Sequence, residues 1–137
     1  MDVREVKLAP LFADLDKRAL QRVALLAESL DVGPGKVLTQ EGRLAWEFFV
    51  IEDGTAEVSQ SGAVIGTLGP GDFFGEVGLL GESETRTATV TSTTPMKLIV
   101  LTGGRLATIE REMPGVSEQI REALAARMKN TLTPAQN

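Results

Sequence analysis

Between Gly33 and Thr102 the chain is interrupted about every ten residues by clusters of turn-forming residues. Gly33-Pro34-Gly35, Gly42, Asp53-Gly54, Ser61-Gly62, Gly69-Pro70-Gly71-Asp72 and Thr93-Thr94-Pro95 leave room only for short segments. Those segments carry strand signals. Lys36–Gln40 and Ala56–Gln60 alternate, and Phe48–Ile51 is an apolar run fit for a buried strand. Val64–Leu68, Thr87–Ser92 and Met96–Leu101 continue the series. Many short strands at this spacing predict an antiparallel sandwich or barrel. Asp53-Gly54, after the apolar run, is also a strong hairpin signal.

Both ends read differently. Over residues 8–30, Leu11, Leu15, Leu20, Val23, Leu26, Ala27 and Leu30 fall near helical spacing, with Asp14 or Asp16 available as N-cap. Leu106, Ile109 and Met113 mark a helix that Pro114-Gly115 breaks. Val116, Ile120, Leu124 and Met128 then recur every four residues and mark a second. Residues 1–130 are expected to form one domain, and residues 131–137 a frayed tail.

Composition removes whole classes of chemistry. The 137 residues include no Cys and no His, which excludes disulfides, Ser-His-Asp and Cys-His catalysis and the common zinc sites. No metal site is expected. A net charge of −5 lacks the electrostatic footprint of a nucleic-acid binder. No apolar stretch approaches the roughly 20 residues of a membrane span, and the charged start does not suit a signal peptide. A cytoplasmic location is expected.

Within this frame, residues 73–90 (FFGEVGLLGESETRTATV) stand out. Gly75 lets backbone approach a ligand closely. Glu76 can accept hydrogen bonds from sugar hydroxyls. Val77–Leu80 can form one helical turn whose free N–H groups face an anion. Arg86 offers a planar, permanently charged fork for a phosphate, and Thr87 adds a hydroxyl. Taken singly, Glu76 is more often a solvated helix-start acid and Arg86 more often a surface ion-pair partner.

Together these residues resemble the phosphate-binding cassette of cyclic nucleotide-binding domains. Phe74-Gly75-Glu76, then Val77-Gly78-Leu79-Leu80, then Arg86-Thr87-Ala88-Thr89-Val90 follow that pattern in both halves and in spacing. Thr85 departs from the Pro that many members carry before the Arg, and Glu82 and Glu84 add negative charge. The resemblance covers about residues 8–130. It implies a mainly β, α+β fold: an antiparallel, jelly-roll-like β-roll with an N-terminal helix and two C-terminal helices.

It also implies roles. Arg86 would contact an exocyclic phosphate oxygen and Glu76 would accept from the ribose 2′-hydroxyl. Backbone around Phe74, Gly75, Val77, Gly78 and Ala88, with Thr87, would complete the cage. The base would lie against Val64, Ile65 or Leu68, with Arg121, Arg127 and Met128 as candidates from the last helix. The stripe on that helix serves equally as core packing, as a lid, or as the contact to a second copy or an effector protein. The implied function is a non-catalytic sensor of cyclic AMP, or less readily cyclic GMP, with no cofactor besides that ligand. Two alternatives stand beside it: a degenerate member acting as a structural or interaction module, and an unrelated sugar- or metal-binding barrel.

Overall fold

The computed structural model describes residues 1–43, 47–75 and 88–116, together with Glu118 and Glu122. The chain opens with helix α1 (Val3–Leu8), a 3-10 turn (Pro10–Phe12) and helix α2 (Lys17–Leu26). Eight strands follow among the described residues. They are β1 (Glu28–Val32), β2 (Val37–Thr39), β3 (Glu47–Asp53), β4 (Ala56–Gln60), β5 (Ala63–Leu68), β6 (Phe73–Phe74), β7 (Thr89–Ser92) and β8 (Met96–Thr102). Helix α3 (Gly103–Glu112) comes next.

The strands form two four-stranded antiparallel sheets, ordered β1-β8-β3-β6 and β2-β7-β4-β5. Pairing is nested: β1 with β8, β2 with β7, β3 with β6 and β4 with β5. This is a β-hairpin folded over on itself, the jelly-roll layout expected from the sequence. Among the described strands, only β4 and β5 are consecutive and in one sheet; the other consecutive pairs lie in different sheets.

The central strands are buried on both faces, which explains their unbroken apolar runs. Phe49 and Ile51 of β3, with Leu98 and Val100 of β8, fill the space between the sheets alongside Phe74, Val90 and Met96. Phe48 and Val50, with Ile99 and Leu101, face the other way. There they meet Val6, Phe12, Leu20 and Val23 from the N-terminal helices and Leu106 and Ile109 from α3. The period-2 alternation of two strands thus builds both cores.

Three expectations need correction. The single helix over residues 8–30 is divided. Asp16 caps α2 by accepting from Ala19 N at 2.8 Å, but the helix stops at Leu26. Residues 28–32 are β1, paired from Glu28 against Val100 to Val32 against Met96. Leu30 falls four residues after Leu26 and mimics helical spacing, yet a vacant edge of β8 outweighs that weak local preference. The short helix α1 was not expected; Asp2 caps it by accepting from Arg4 N at 2.8 Å, and Val6 anchors it in the core. Finally, Asp53-Gly54 makes no hairpin. It carries the chain from β3 in one sheet to β4 in the other, and Ser61-Gly62 makes the true hairpin turn.

The C-terminal helix α3 is tied back to α2. The Arg22 guanidinium donates to both Glu112 carboxylate oxygens at 2.7 and 3.0 Å. Arg105 donates to the Leu26 carbonyl at 2.9 Å, satisfying an end-of-helix acceptor of α2. The bond to Arg22 lowers the Glu112 carboxyl below its ordinary range. Its contribution is therefore present above that range and is lost as pH falls through the lowered value. The second helix expected over residues 116–128 lies largely outside the described residues.

Candidate functional site

The stretch singled out in the sequence is one of the connections that pass between sheets, joining β6 to β7. Its entrance is held by β6. Phe73 and Phe74 pair with Val50 and Phe49, respectively. The Phe74 ring stacks on Phe49 with centroids 4.8 Å apart and planes inclined by 12°. Phe73 packs against Phe48 on the opposite face. Aromatic pairs of this kind add about 0.5–1.5 kcal/mol beyond simple burial. Phe74 is only 5 % exposed, so its side chain belongs to the core, where its pairing with Phe49 fixes the strand that leads into Gly75. Gly75 follows at φ +91°, in the region that favours glycine.

The exit is held from the other sheet. The Thr39 hydroxyl donates to the Ala88 carbonyl at 3.2 Å, and Glu41 N donates to the Thr89 hydroxyl at 3.0 Å. The Glu41 carboxylate in turn accepts from Ser61 N at 2.8 Å, in the β4–β5 turn. Thr39 and Glu41 were not among the expected site residues, because nothing in a three-residue strand announces which hydroxyl will point at a distant carbonyl.

The base-contact candidates part company. Leu68 packs with the inter-sheet core. Val64 and Ile65 are 59 % and 41 % exposed. A register shift between Val58 and Ser59 separates them: Leu68 lies opposite Ala56, whereas Val64 lies opposite Ser59. Paired residues share a face, so Val64 joins Ser59 and Thr89 on one side of the sheet while Leu68 joins Ala56 and Ser92 on the other. Glu76, Val77, Gly78, Arg86, Thr87, Arg121, Arg127 and Met128 lie outside the described residues.

A cleft elsewhere is lined by Leu8, Pro10, Ile51, Glu52 and Gly71, none of them in the expected ligand set. Glu52 presents there a buried carboxylate oxygen with no hydrogen-bond partner among the described residues. Burial pushes its carboxyl above the ordinary value of 4.5, and Glu5 and Asp31 push the same way against Lys97. An acid raised in the folded state stabilises fully below its unfolded value, and that stability is lost as pH rises through the folded value. Glu52→Gln is therefore expected to raise the melting temperature at pH 7. The gain should shrink toward zero below pH 4.5, as thermal melts across that range will report.

No group of three or more acidic residues among the described residues is arranged to hold a metal, and no described helix is long and apolar enough to cross a membrane.

Comparison with known proteins supplies the family. The model of the cyclic nucleotide-binding domain matches residues 30–112. The cAMP-dependent protein kinase regulatory subunit of Schizosaccharomyces pombe is 38 % identical over 90 residues, covering 65 % of this chain and 22 % of its own. The Yarrowia lipolytica protein of the same name is 38 % identical over 98 residues, 70 % of this chain and 26 % of its own. The chain thus spans about a quarter of the length of these relatives. The catabolite activator protein of Thermus thermophilus superposes with a TM-score of 0.78 at 23 % identity, over 93 % of this chain and 62 % of that one, and shares the fold.

Proposed function

This chain belongs to the cyclic nucleotide-binding domain family, and from that premise we propose that it is a non-catalytic sensor of cyclic AMP. The observation that carries the reading is the coincidence of the family match with the Gly75-Glu76 and Arg86-Thr87-Ala88 spacing. Both ends of that stretch are held by the framework, Phe74 in one sheet and Thr89 in the other.

The chemistry of each group suits the ligand. A cyclic phosphate carries one negative charge, which the Arg86 guanidinium neutralises through paired N–H donors. The ribose 2′-hydroxyl needs an acceptor, which Glu76 supplies. Backbone N–H groups at Gly75 and Ala88 add neutral donors at a phosphate without importing further charge. The reading calls on no metal and no further cofactor. That two relatives are named regulatory subunits of a cAMP-dependent protein kinase supports the choice of cyclic AMP for this chain. Occupancy would pass to the C-terminal helices. Helix α3 leaves β8 at Thr102-Gly103 and meets α2 through Arg22–Glu112, Arg105 and apolar packing, contacts that a small rotation can exchange. The receiving element is a second copy of the chain or an effector protein in the cytoplasm.

Titration calorimetry with cyclic AMP and cyclic GMP tests the proposal, followed by chromatography of the recovered nucleotide. Saturable binding with cyclic AMP preferred and the ligand returned intact is the expected result. A tenfold preference for cyclic GMP would reverse the choice of ligand, and linear nucleotide above a no-protein control would overturn the non-catalytic assignment. No binding of either would favour a structural or interaction module.

A further inference from the structure

Two side-chain hydroxyls are buried among the described residues, and they do different work. Ser92, 2 % exposed, donates to the Gly33 carbonyl at 2.6 Å and accepts from Lys36 N at 2.9 Å, closing the β1–β2 corner. Thr39, 6 % exposed, donates to the carbonyl of Ala88, the last of the expected ligand-binding residues. At that point the β2–β7 register shifts: Val37 lies opposite Thr91 but Thr39 lies opposite Val90. Where the ladder is irregular, side chains take over the connection.

Glu41 extends it. Its amide holds the Thr89 hydroxyl and its carboxylate holds Ser61 N. Ser61 sits at φ +52°, the one non-glycine residue at positive φ among those described. With Gly62 at φ +81° it forms a turn of the mirror-image hairpin type, which Asn and Gly enter more readily than Ser. An acceptor aimed at Ser61 N offsets that cost. Ala88, Thr89, the end of β2 and the β4–β5 turn are thereby one hydrogen-bonded unit.

From this we infer that Thr39 and Glu41 are positioning residues for nucleotide binding, setting where the Ala88 backbone sits without touching the ligand. The inference rests on the proposed function and adds residues outside the ligand stretch to the binding determinants. Without the Thr39 hydroxyl, the Ala88 carbonyl loses this tether, and the Ala88–Thr89 peptide, on whose placement the adjoining Ala88 N–H depends, is held less firmly.

The test is calorimetry with cyclic AMP on the full chain and its variants, each paired with a thermal melt. Thr39→Val keeps shape and removes the hydroxyl, and is expected to weaken binding about fivefold, the equivalent of one neutral hydrogen bond. Thr39→Ser should restore it. Ser92→Ala should lower the melting temperature and leave the affinity within twofold, which separates positioning from general destabilisation. Should Thr39→Val fail to fold, Thr89→Val removes the acceptor of Glu41 N and is expected to weaken binding in the same direction. Wild-type affinity in a folded Thr39→Val or Thr89→Val protein, with the parent chain binding normally, overturns the inference alone. A parent chain that binds neither cyclic nucleotide overturns the functional reading beneath it.

Discussion

Arg86→Ala is expected to bind cyclic AMP at least about tenfold more weakly than the parent chain, the largest loss from any single substitution in residues 73–90. A hydrogen bond to a charged group contributes about 1.5–3 kcal/mol, and every 1.4 kcal/mol is tenfold in affinity. The domain carries a net charge of −5, and Glu82 and Glu84 stand close by in sequence. An anionic ligand therefore depends on local positive charge more than it would in a basic protein. Arg86→Lys keeps the charge but not the planar fork, and should recover part of the loss. Glu76→Ala should weaken binding too, with a distinct signature: the parent chain should discriminate against 2′-deoxy cyclic AMP and this variant should not. Calorimetry on the four proteins separates the contributions. Parent-like affinity in Arg86→Ala would remove the phosphate role assigned to this residue.

The second large effect is on stability. Gly54→Ala should cost at least about 3 kcal/mol, a large part of the 5–15 kcal/mol available to a typical domain. Gly54 has φ +90°, and a Cβ placed there would overlap the Pro95 carbonyl oxygen and lie 2.8 Å from the Met96 Cα. These are backbone atoms of the β7–β8 corner, so no side-chain rotation relieves the overlap. Nor can the corner retreat easily, because Thr93 N donates to the Thr55 carbonyl at 3.0 Å and Thr55 N to the Thr94 hydroxyl at 2.9 Å. Gly42→Ala provides the comparison. Its φ is +83° and nothing lies within 4 Å of the added atom, so it isolates the conformational cost, roughly 1–2 kcal/mol. Gly54→Ala should therefore melt on the order of 10 °C below the parent, and clearly below Gly42→Ala. Equal losses for the two variants would mean that the corners are not in contact as described.

That same corner shows what a sequence can and cannot disclose. Gly54 marks a turn, and the turn is there, but a dipeptide carries no information about which sheet the next strand will enter. Strands β3 and β8 were legible because burial on both faces writes a continuous apolar run. Strand β1 was not. Its Glu28, Ser29, Leu30 and Asp31 offer little apolar pattern, and it exists because β8 presents an edge to it. The ligand stretch stood out through paired motifs at fixed spacing, which is sequence-local information. Its supports did not: Thr39 lies 49 residues from Ala88, and Glu41 lies 20 residues from Ser61. Those links belong to topology.

The nested pairing of the strands also has a consequence for how the protein is made. A chain leaving the ribosome exposes its N-terminal residues first. Of the sheet pairings among the described residues, only β4 with β5 joins neighbours in sequence, so that hairpin can form as soon as it is made. Strand β3 must wait for Phe73, β2 for Thr89, and β1 for Met96–Val100. The apolar stretch Phe48–Ile51 therefore spends the synthesis of some fifty further residues without β8 beside it. Vectorial synthesis reveals the pairing from the inside outward, and the outermost pair, which completes the sheet beneath the helices, closes last.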